Sequence, residues 1–428
     1  MLLVRRARVP AALLPPGLAG AADPLEPTVL CDLQIDGDTI TRVERSAAAS
    51  DPAHASVHDA AGALVFPGLV DAHVHLDKTH TWFRAPNRSG TFMEALEALG
   101  ADRVHWTHAD LIRRAEFGLR CAWAHGTRIL RTHVDTAANG DETSHAAMAE
   151  LRLRWRGRIE LQTVPLCRGD DYAGPQGEAM ADLALRYGAS ALGGFLVMSA
   201  DLPRQVDRLL AIARDRRVGI DLHVDENGNP EAEVMRIVAE AALRTAFPYP
   251  VICGHACSLA RQTPERQRST IDLLKAARVA VISLPLCNLY LQDRRHTGFP
   301  LTPHWRGITL IRDLLAAGVP VACASDNVRD AFYAFGDYDP VEVYVQSVRI
   351  AHLDSQLATS PCVVTSTAAA LVGRPEFGRI GPGAPAHLVQ FGVQSFNELL
   401  SRPGAPRLRI DGETAGFTRA PDYAELAG

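Results

Sequence analysis

From about residue 61 to residue 372, short apolar runs alternate with longer segments in which apolar residues recur every three or four positions. The short runs are ALVFPGLVDAHV, TRILRTHVD, IELQTVPL, ALGGFLVM, VGIDLHVDE, PYPVICGHA, VAVISLPL and VPVACASD. Apolar runs of this length fit strands of a sheet covered on both faces. Between them, HADLIRRAEFGLRCAWAHG, DLPRQVDRLLAIARDRR and NPEAEVMRIVAEAALRTAF carry an apolar stripe at helical period, opened by Asp, Asn or Pro. Strands alternating with amphipathic helices predict βα units and a parallel sheet. Eight strands close a barrel, although a doubly wound open sheet alternates in the same way.

The two ends of the chain follow a different pattern. LLVRRARVP and VLCDLQIDGDTITRVER read as strands, the second folded into a hairpin at Asp36, Gly37 and Asp38. GRIGPGAPAHLVQF, near the other end, is again strand-like with turn glycines. The expected architecture is therefore a (β/α)8 TIM-type barrel over residues 65–375. A small β-sandwich would be formed by the N-terminal segment 1–64 together with the C-terminal segment 376–428.

Composition narrows the class without changing this picture. With 47% hydrophobic and 22% charged residues the chain can bury a large core, and its net charge of -5 with dispersed arginines offers no basic stripe to a nucleic acid. No stretch reaches the ~20 apolar residues of a membrane span, so no membrane partner is expected. The opening MLLVRRARVPAALLPPGLAG is broken by arginines and prolines where a signal peptide needs a continuous apolar segment, which points to the cytoplasm. Eight scattered cysteines without a CxxC pair read as buried small side chains in a reducing compartment, Cys253 and Cys257 included.

The chemistry is concentrated at strand ends. His73 and His75 end the first run, and a two-residue step on a strand puts both imidazoles on one face. Alone such a pair is a weak signal. His223 ends the fifth run, His255 the sixth and Asp326 the eighth, and barrel enzymes assemble their sites from several strands at that rim. Three neutral imidazoles and a carboxylate form a mixed N/O ligand set suited to Zn(II) or Fe(II) with an open position for water. Glu226, three residues past His223, stands where a carboxylate outside the ligand set could move a proton; a lone loop glutamate is otherwise simply solvated.

The motifs FPGLVDAHVHLDKTH, DLHVDE, GHACS and SDN, in this order, resemble the amidohydrolase superfamily and, within it, cytosine deaminase and its relatives. RTHVD, LPLCNLYLQDR and SDNVRDAFYAFG extend the resemblance over nearly the whole chain. It implies that His73, His75, His223 and Asp326 bind one divalent metal ion per chain, Fe(II) or Zn(II). Glu226 would then protonate the ring nitrogen beside the attacked carbon, and His255 would orient the attacking water. Asp326 would also relay a proton to the departing ammonia. The implied substrate is a small N-heterocycle such as a pyrimidine-like ring, and relatives of this kind point to a homo-oligomer. Binuclear members bridge two metals with a carboxylated lysine on the fourth strand. The two lysines of this chain, Lys78 and Lys275, lie elsewhere, which leaves a mononuclear site.

Three positions depart from cytosine deaminase. Arg168 stands near the place of a glutamine that meets the pyrimidine amide edge, and a guanidinium offers donors only. Asn327 replaces an aspartate directly after the metal ligand, and Phe332 replaces a tryptophan. All three are expected to bind substrate, Arg168 and Asn327 with a hydrogen-bond code other than the one cytosine needs; the alternative for Arg168 is a rim arginine in solvent. His133, Asp77 and Asp135 are expected at the pocket wall or rim without a catalytic role, and the remaining histidines on loops or helix surfaces. The competing possibilities are a related hydrolase that releases an alkylamine from a triazine-like ring or opens a cyclic amide, and a silent binding protein on the same barrel.

Overall fold

Each of the eight apolar runs contributes one strand to a single sheet in the computed structural model, which describes residues 1–20, 23–47, 56–137, 139–297 and 299–426. The strands are β1 (Leu69–Val74), β2 (Thr127–Asp135), β3 (Glu160–Arg168), β4 (Ala191–Leu196), β5 (Gly219–Val224), β6 (Val251–His255), β7 (Val279–Ser283) and β8 (Val321–Cys323). Their order in the sheet is their order in the chain. A doubly wound sheet would reverse direction part-way, and this one does not. Beyond β8, Asp326 forms a parallel bridge with Val74, its N–H donating to the His73 carbonyl at 2.9 Å, so the last strand meets the first and the sheet is a nearly closed barrel.

The strands are buried along nearly their whole length, which is why they read as apolar runs and not as alternating patterns. The glycines of β4 serve close packing: a Cβ at Gly193 would stand 2.4 Å from Val164 Cγ1 and 2.7 Å from the Asp221 carbonyl oxygen. Helices His108–Ala124, Leu202–Asp215 and Val234–Arg244 follow the predicted amphipathic segments.

The first apolar run is two strands, not one. Val65–Pro67 pairs antiparallel with His387–Phe391, and the chain then passes Gly68, where a Cβ would lie 2.4 Å from Arg128 Cγ, before β1 begins.

By its contacts the chain divides into two units, one of residues 72–119, 130–338 and 423–428, the other of 1–71, 120–129 and 339–422. The second unit holds two four-stranded sheets. One comprises Leu2–Pro10, Thr28–Asp36, Thr39–Arg45 and Ser56–Asp59; the other comprises Val65–Pro67, His387–Phe391, Arg407–Asp411 and Thr414–Phe417. The hairpin turns at Gly37, which takes a left-handed φ of 55° between paired Asp36 and Thr39. Val4, Leu33, Ile35 and Ile40 share one core with Ile380, Leu388 and Ile410, so residues from both ends of the chain bury each other as the sandwich requires.

Among the described residues, no helix is long and apolar enough to cross a membrane. All eight cysteines are free thiols, seven of them buried.

Candidate active site

Three imidazole nitrogens and a carboxylate meet inside the C-terminal rim of the barrel. His223 Nε2 lies 3.1 Å from His73 Nε2 and 3.2 Å from His75 Nε2. Asp326 Oδ1 is 3.2 Å from His75 Nε2 and 3.8 Å from His73 Nε2. The two-residue step on β1 aims both of its histidines inward, β5 supplies His223, and the bridge after β8 brings in Asp326. The four residues are 0–4% exposed. Burial, followed by repulsion from the His133 ring, drives the pKa of His73 and His223 well below the ordinary histidine value; for His75, burial is followed by the Lys78 charge. The imidazoles are therefore neutral, with lone pairs to give. Gly254 on β6 makes room for the cluster, since a Cβ there would be 3.2 Å from His73 Cε1.

The backbone around the cluster is forced. Asp225 (φ 53°), His255 (φ 68°), Ala256 (φ 50°) and Asp326 (φ 63°) all adopt left-handed conformations where strands β5, β6 and β8 give way to loops. Such conformations cost roughly 1–3 kcal/mol each outside glycine and persist where surrounding structure imposes them. Asp225 shows how: its carboxylate accepts from the Val234 and Met235 N–H groups at 3.0 and 2.9 Å, and its carbonyl from Ser258 N–H at 3.1 Å. The next residue, Glu226, is thereby held over the cluster, with Gln292 Nε2 donating to its carbonyl at 3.2 Å.

The Glu226 side chain is 6% exposed, with Oε1 3.5 Å from His255 Nδ1. Burial and the Asp326 charge raise its pKa well above the ordinary carboxylate value, opposed by Lys78. His255 is outside the four-residue cluster, its ring centroid 5.0 Å from that of His223. Asn288 Nδ2 lies 3.0 Å from His255 Nδ1, a donor toward a ring acceptor, which leaves the ring proton on Nε2. That Nε2 has no hydrogen-bond partner among the described residues, and burial lowers the His255 pKa to about 3.

These groups face a cavity of about 630 Å³ whose lining includes His75, His223, Glu226, His255, Asn327 and Phe332. Asn327 Nδ2 donates to Asp330 Oδ2 at 2.7 Å, and Asp330 also accepts from the Phe332 and Tyr333 N–H groups. Phe332 meets Phe92 edge to face at 5.7 Å, and Phe92 stacks on Phe195 at 5.9 Å, so the wall is aromatic. Arg168 reaches the cavity at its mouth. Its side chain is 76% exposed and paired with Asp170 at 3.4 Å.

Lys78, treated from sequence only as a lysine in the wrong place for a bridging carbamate, lines the cavity too. Its Nζ donates to Asp135 Oδ1 at 2.8 Å and lies 5.5 Å from the Phe332 ring centroid. Asp135 also binds Arg103, and its N–H donates to Asp77 Oδ2 at 2.7 Å. Both aspartates are the rim acceptors the sequence predicts. A basic side chain directly after HVHLD was the available signal for Lys78, but its acidic partner is 57 positions away. His133 packs its ring against His73 at 4.0 Å, with Nε2 3.7 Å from Asp221 Oδ1. His105 and His108 are exposed as expected. His145 is not: it is buried with Nε2 2.8 Å from Thr136 Oγ1, because its helix turns that face to the barrel.

A family model described as "Amidohydrolase family" matches residues 130–403. A pterin deaminase from Rhizobium rhizogenes (strain K84) is 44% identical over 380 residues, covering 89% of this chain and 86% of that protein. An N-isopropylammelide isopropyl amidohydrolase from Pseudomonas sp. (strain ADP) is 26% identical over 322 residues, covering 73% of this chain and 74% of that one. Among solved structures, 5-methylcytosine deaminase from Klebsiella pneumoniae liganded with 5-fluorocytosine superimposes with a TM-score of 0.83 at 24% identity, covering 98% of each chain, and so shares the fold.

Proposed function

The chain belongs to the amidohydrolase family and is a metal-dependent deaminase of N-heterocycles; we propose that it removes the exocyclic amino group of a pterin-class ring as ammonia. The observation that carries the chemistry is the convergence of three neutral imidazole nitrogens on one carboxylate beside a buried glutamate. Imidazole nitrogens 3.1–3.2 Å apart cannot all be satisfied by one another, whereas a divalent cation satisfies every lone pair at once. The donor set thus fits a metal. In this reading His73, His75, His223 and Asp326 hold one ion per chain, Fe(II) or Zn(II), and β4 contributes two glycines and no lysine toward a second. When bound, the metal acidifies water and stabilises the charge that develops on attack.

The chain's own groups complete the reaction, in which water replaces the amino group at a ring carbon and ammonia leaves. Glu226, whose raised pKa favours the protonated form, carries the first proton of the attacking water to the ring nitrogen beside the attacked carbon. His255 presents its Nε2–H to the attacking oxygen and keeps it in line with that carbon. Asp326 passes the second proton toward the leaving nitrogen. Phe92 and Phe332 supply apolar faces for a flat ring, and Asn327 a polar edge beside it.

The substrate class rests on the 44% identical pterin deaminase, and a cavity of about 630 Å³ has room for a fused two-ring system. The free thiols agree with a reducing compartment, which we take to be the cytoplasm. Self-association, the remaining expectation, is read by light scattering. The decisive assay incubates the zinc- or iron-loaded protein with pterin, cytosine, 5-methylcytosine and N-isopropylammelide, and measures ammonia and alkylamine. Ammonia is expected with the highest kcat/KM from pterin. Isopropylamine release with no ammonia from any pterin would overturn the proposal in favour of an alkylamine-releasing hydrolase.

A further inference from the structure

In a chain with 42 arginines and two lysines, one lysine is buried on the wall of the catalytic cavity. An ammonium is a compact point donor, whereas a guanidinium is a wide planar fork, so a lysine fits where one N–H must reach one atom. Burying an ion pair costs more than it returns unless geometry and further hydrogen bonds compensate, so a pair facing a cavity calls for an explanation beyond stability. Lys78 and Asp135 are 5% and 6% exposed at the side chain, and both line the cavity. Asp135 is fixed from three directions, by Lys78, by Arg103 and through its backbone by Asp77. Lys78 Nζ has three donors, of which the bond to Asp135 uses one. Lys78 lines the same cavity as His75, His223 and Glu226, which puts its ammonium on the wall that a substrate at those groups must face. Phe332, the aromatic face available to a flat substrate, lies beside it.

We propose that Lys78 and Asp135 are specificity-determining residues that read the lactam edge of the substrate ring, the ammonium donating to the ring oxo oxygen and the carboxylate accepting from the adjacent ring N–H. A donor-only group next to an acceptor-only group, 2.8 Å apart, is the complement of a C=O next to an N–H. In cytosine a bare ring nitrogen lies next to the attacked carbon, with the C=O one atom further and the lactam N–H beyond it, whereas pterin carries the N–H next to the attacked carbon and the C=O one atom further. The inference rests on the deaminase reading above and adds which edge is recognised and by what.

The test uses pterin and 2,4-diaminopteridine, in which an amino donor replaces the oxo acceptor and a bare ring nitrogen replaces the N–H. Both contacts are then inverted. The wild-type protein should prefer pterin by about 10³-fold or more in kcat/KM, the scale on which buried hydrogen-bond mismatches discriminate. Lys78→Met should lower kcat/KM for pterin by about 10²-fold while retaining metal, and should bring the ratio of the two substrates to within about tenfold. Asp135→Asn, whose amide can donate or accept, should narrow the ratio as well. Equal turnover of both substrates by the wild type overturns the proposal without any variant, as do variants that depress both substrates by the same factor. If the protein deaminates no pterin but another lactam-bearing ring, the pterin reading fails. The same comparison on that ring and its oxo-to-amino analogue then still decides the role of Lys78 and Asp135.

Discussion

At the floor of the cavity His73, His75, His223 and Asp326 are all but excluded from solvent, while at its mouth Arg168 and Asp170 have side chains 76% and 64% exposed and meet at 3.4 Å. Both regions are polar, and both sit where barrel strands end. Water makes the difference. At the floor no solvent competes for the imidazole lone pairs, so each group is either satisfied by its neighbours and ligand or costs several kcal/mol. At the mouth water substitutes for any lost partner, and an exposed ion pair is worth about 0–1 kcal/mol. Effects of substitution should therefore fall steeply from floor to mouth.

The largest effect is expected at the floor. His73→Ala should lose the metal and reduce deamination to background, because three remaining ligands cannot complete the shell. Elemental analysis and an ammonia assay on the same preparation check both. One equivalent of metal in the wild type is part of this prediction, and two tightly held equivalents would break the mononuclear reading.

One step above the floor, Glu226→Gln should keep its metal while kcat falls by roughly 10²-fold, the scale for losing a positioned acid or base. Loss of metal in this variant would make Glu226 a ligand and remove the distinction between cluster and shuttle.

How far this gradient could be read in advance differs for its two ends. A strand buried on both faces is a continuous apolar run, so all eight barrel strands were visible, and His73 and His75 carried their common face in their spacing. That β1 starts after Gly68 was not visible, because the preceding Val65–Pro67 is equally apolar and is claimed by a strand more than 300 residues away. Nor was the Lys78–Asp135 pair, which joins β1's loop to the end of β2 and exists once the barrel wall forms. Arg168 shows the converse: its place at the end of β3 was legible, but its exposure depends on the short helix Gly169–Ala173 that starts immediately after it and turns the side chain outward. Strand position follows from local pattern, whereas side-chain direction at a strand end is set by the loop.

Between the extremes lies Asp225, which touches no reacting atom but ties the Glu226 loop to the first turn of helix Val234–Arg244. Asp225→Ala removes a cap worth about 1–2 kcal/mol and frees a strained backbone. The expected result is a Tm lower by several degrees and a kcat lower by about tenfold with KM little changed, since a misplaced acid slows the step more than it weakens binding. A Tm shift with unaltered kcat would make Asp225 a structural cap alone.

The smallest effect is expected at the mouth, and it separates two accounts of Arg168. Taken from sequence, Arg168 reads the ring edge, so Arg168→Gln should weaken the true substrate by orders of magnitude and improve cytosine. Its place in the structure argues for less. A guanidinium in solvent, joined to an equally solvated carboxylate, has little desolvation to lose and can reach at most a substituent projecting from the ring. We expect Arg168→Gln to change kcat/KM for unsubstituted pterin by less than about fivefold, the equivalent of roughly 1 kcal/mol, and to leave the ranking of pterin over cytosine intact. A substrate with a carboxylate on the ring should be affected more than pterin itself, and that difference should shrink as salt is added. A loss of a hundredfold or more on pterin, or a gain on cytosine, would show that the loop swings Arg168 inward when substrate binds and that the mouth belongs, energetically, to the floor.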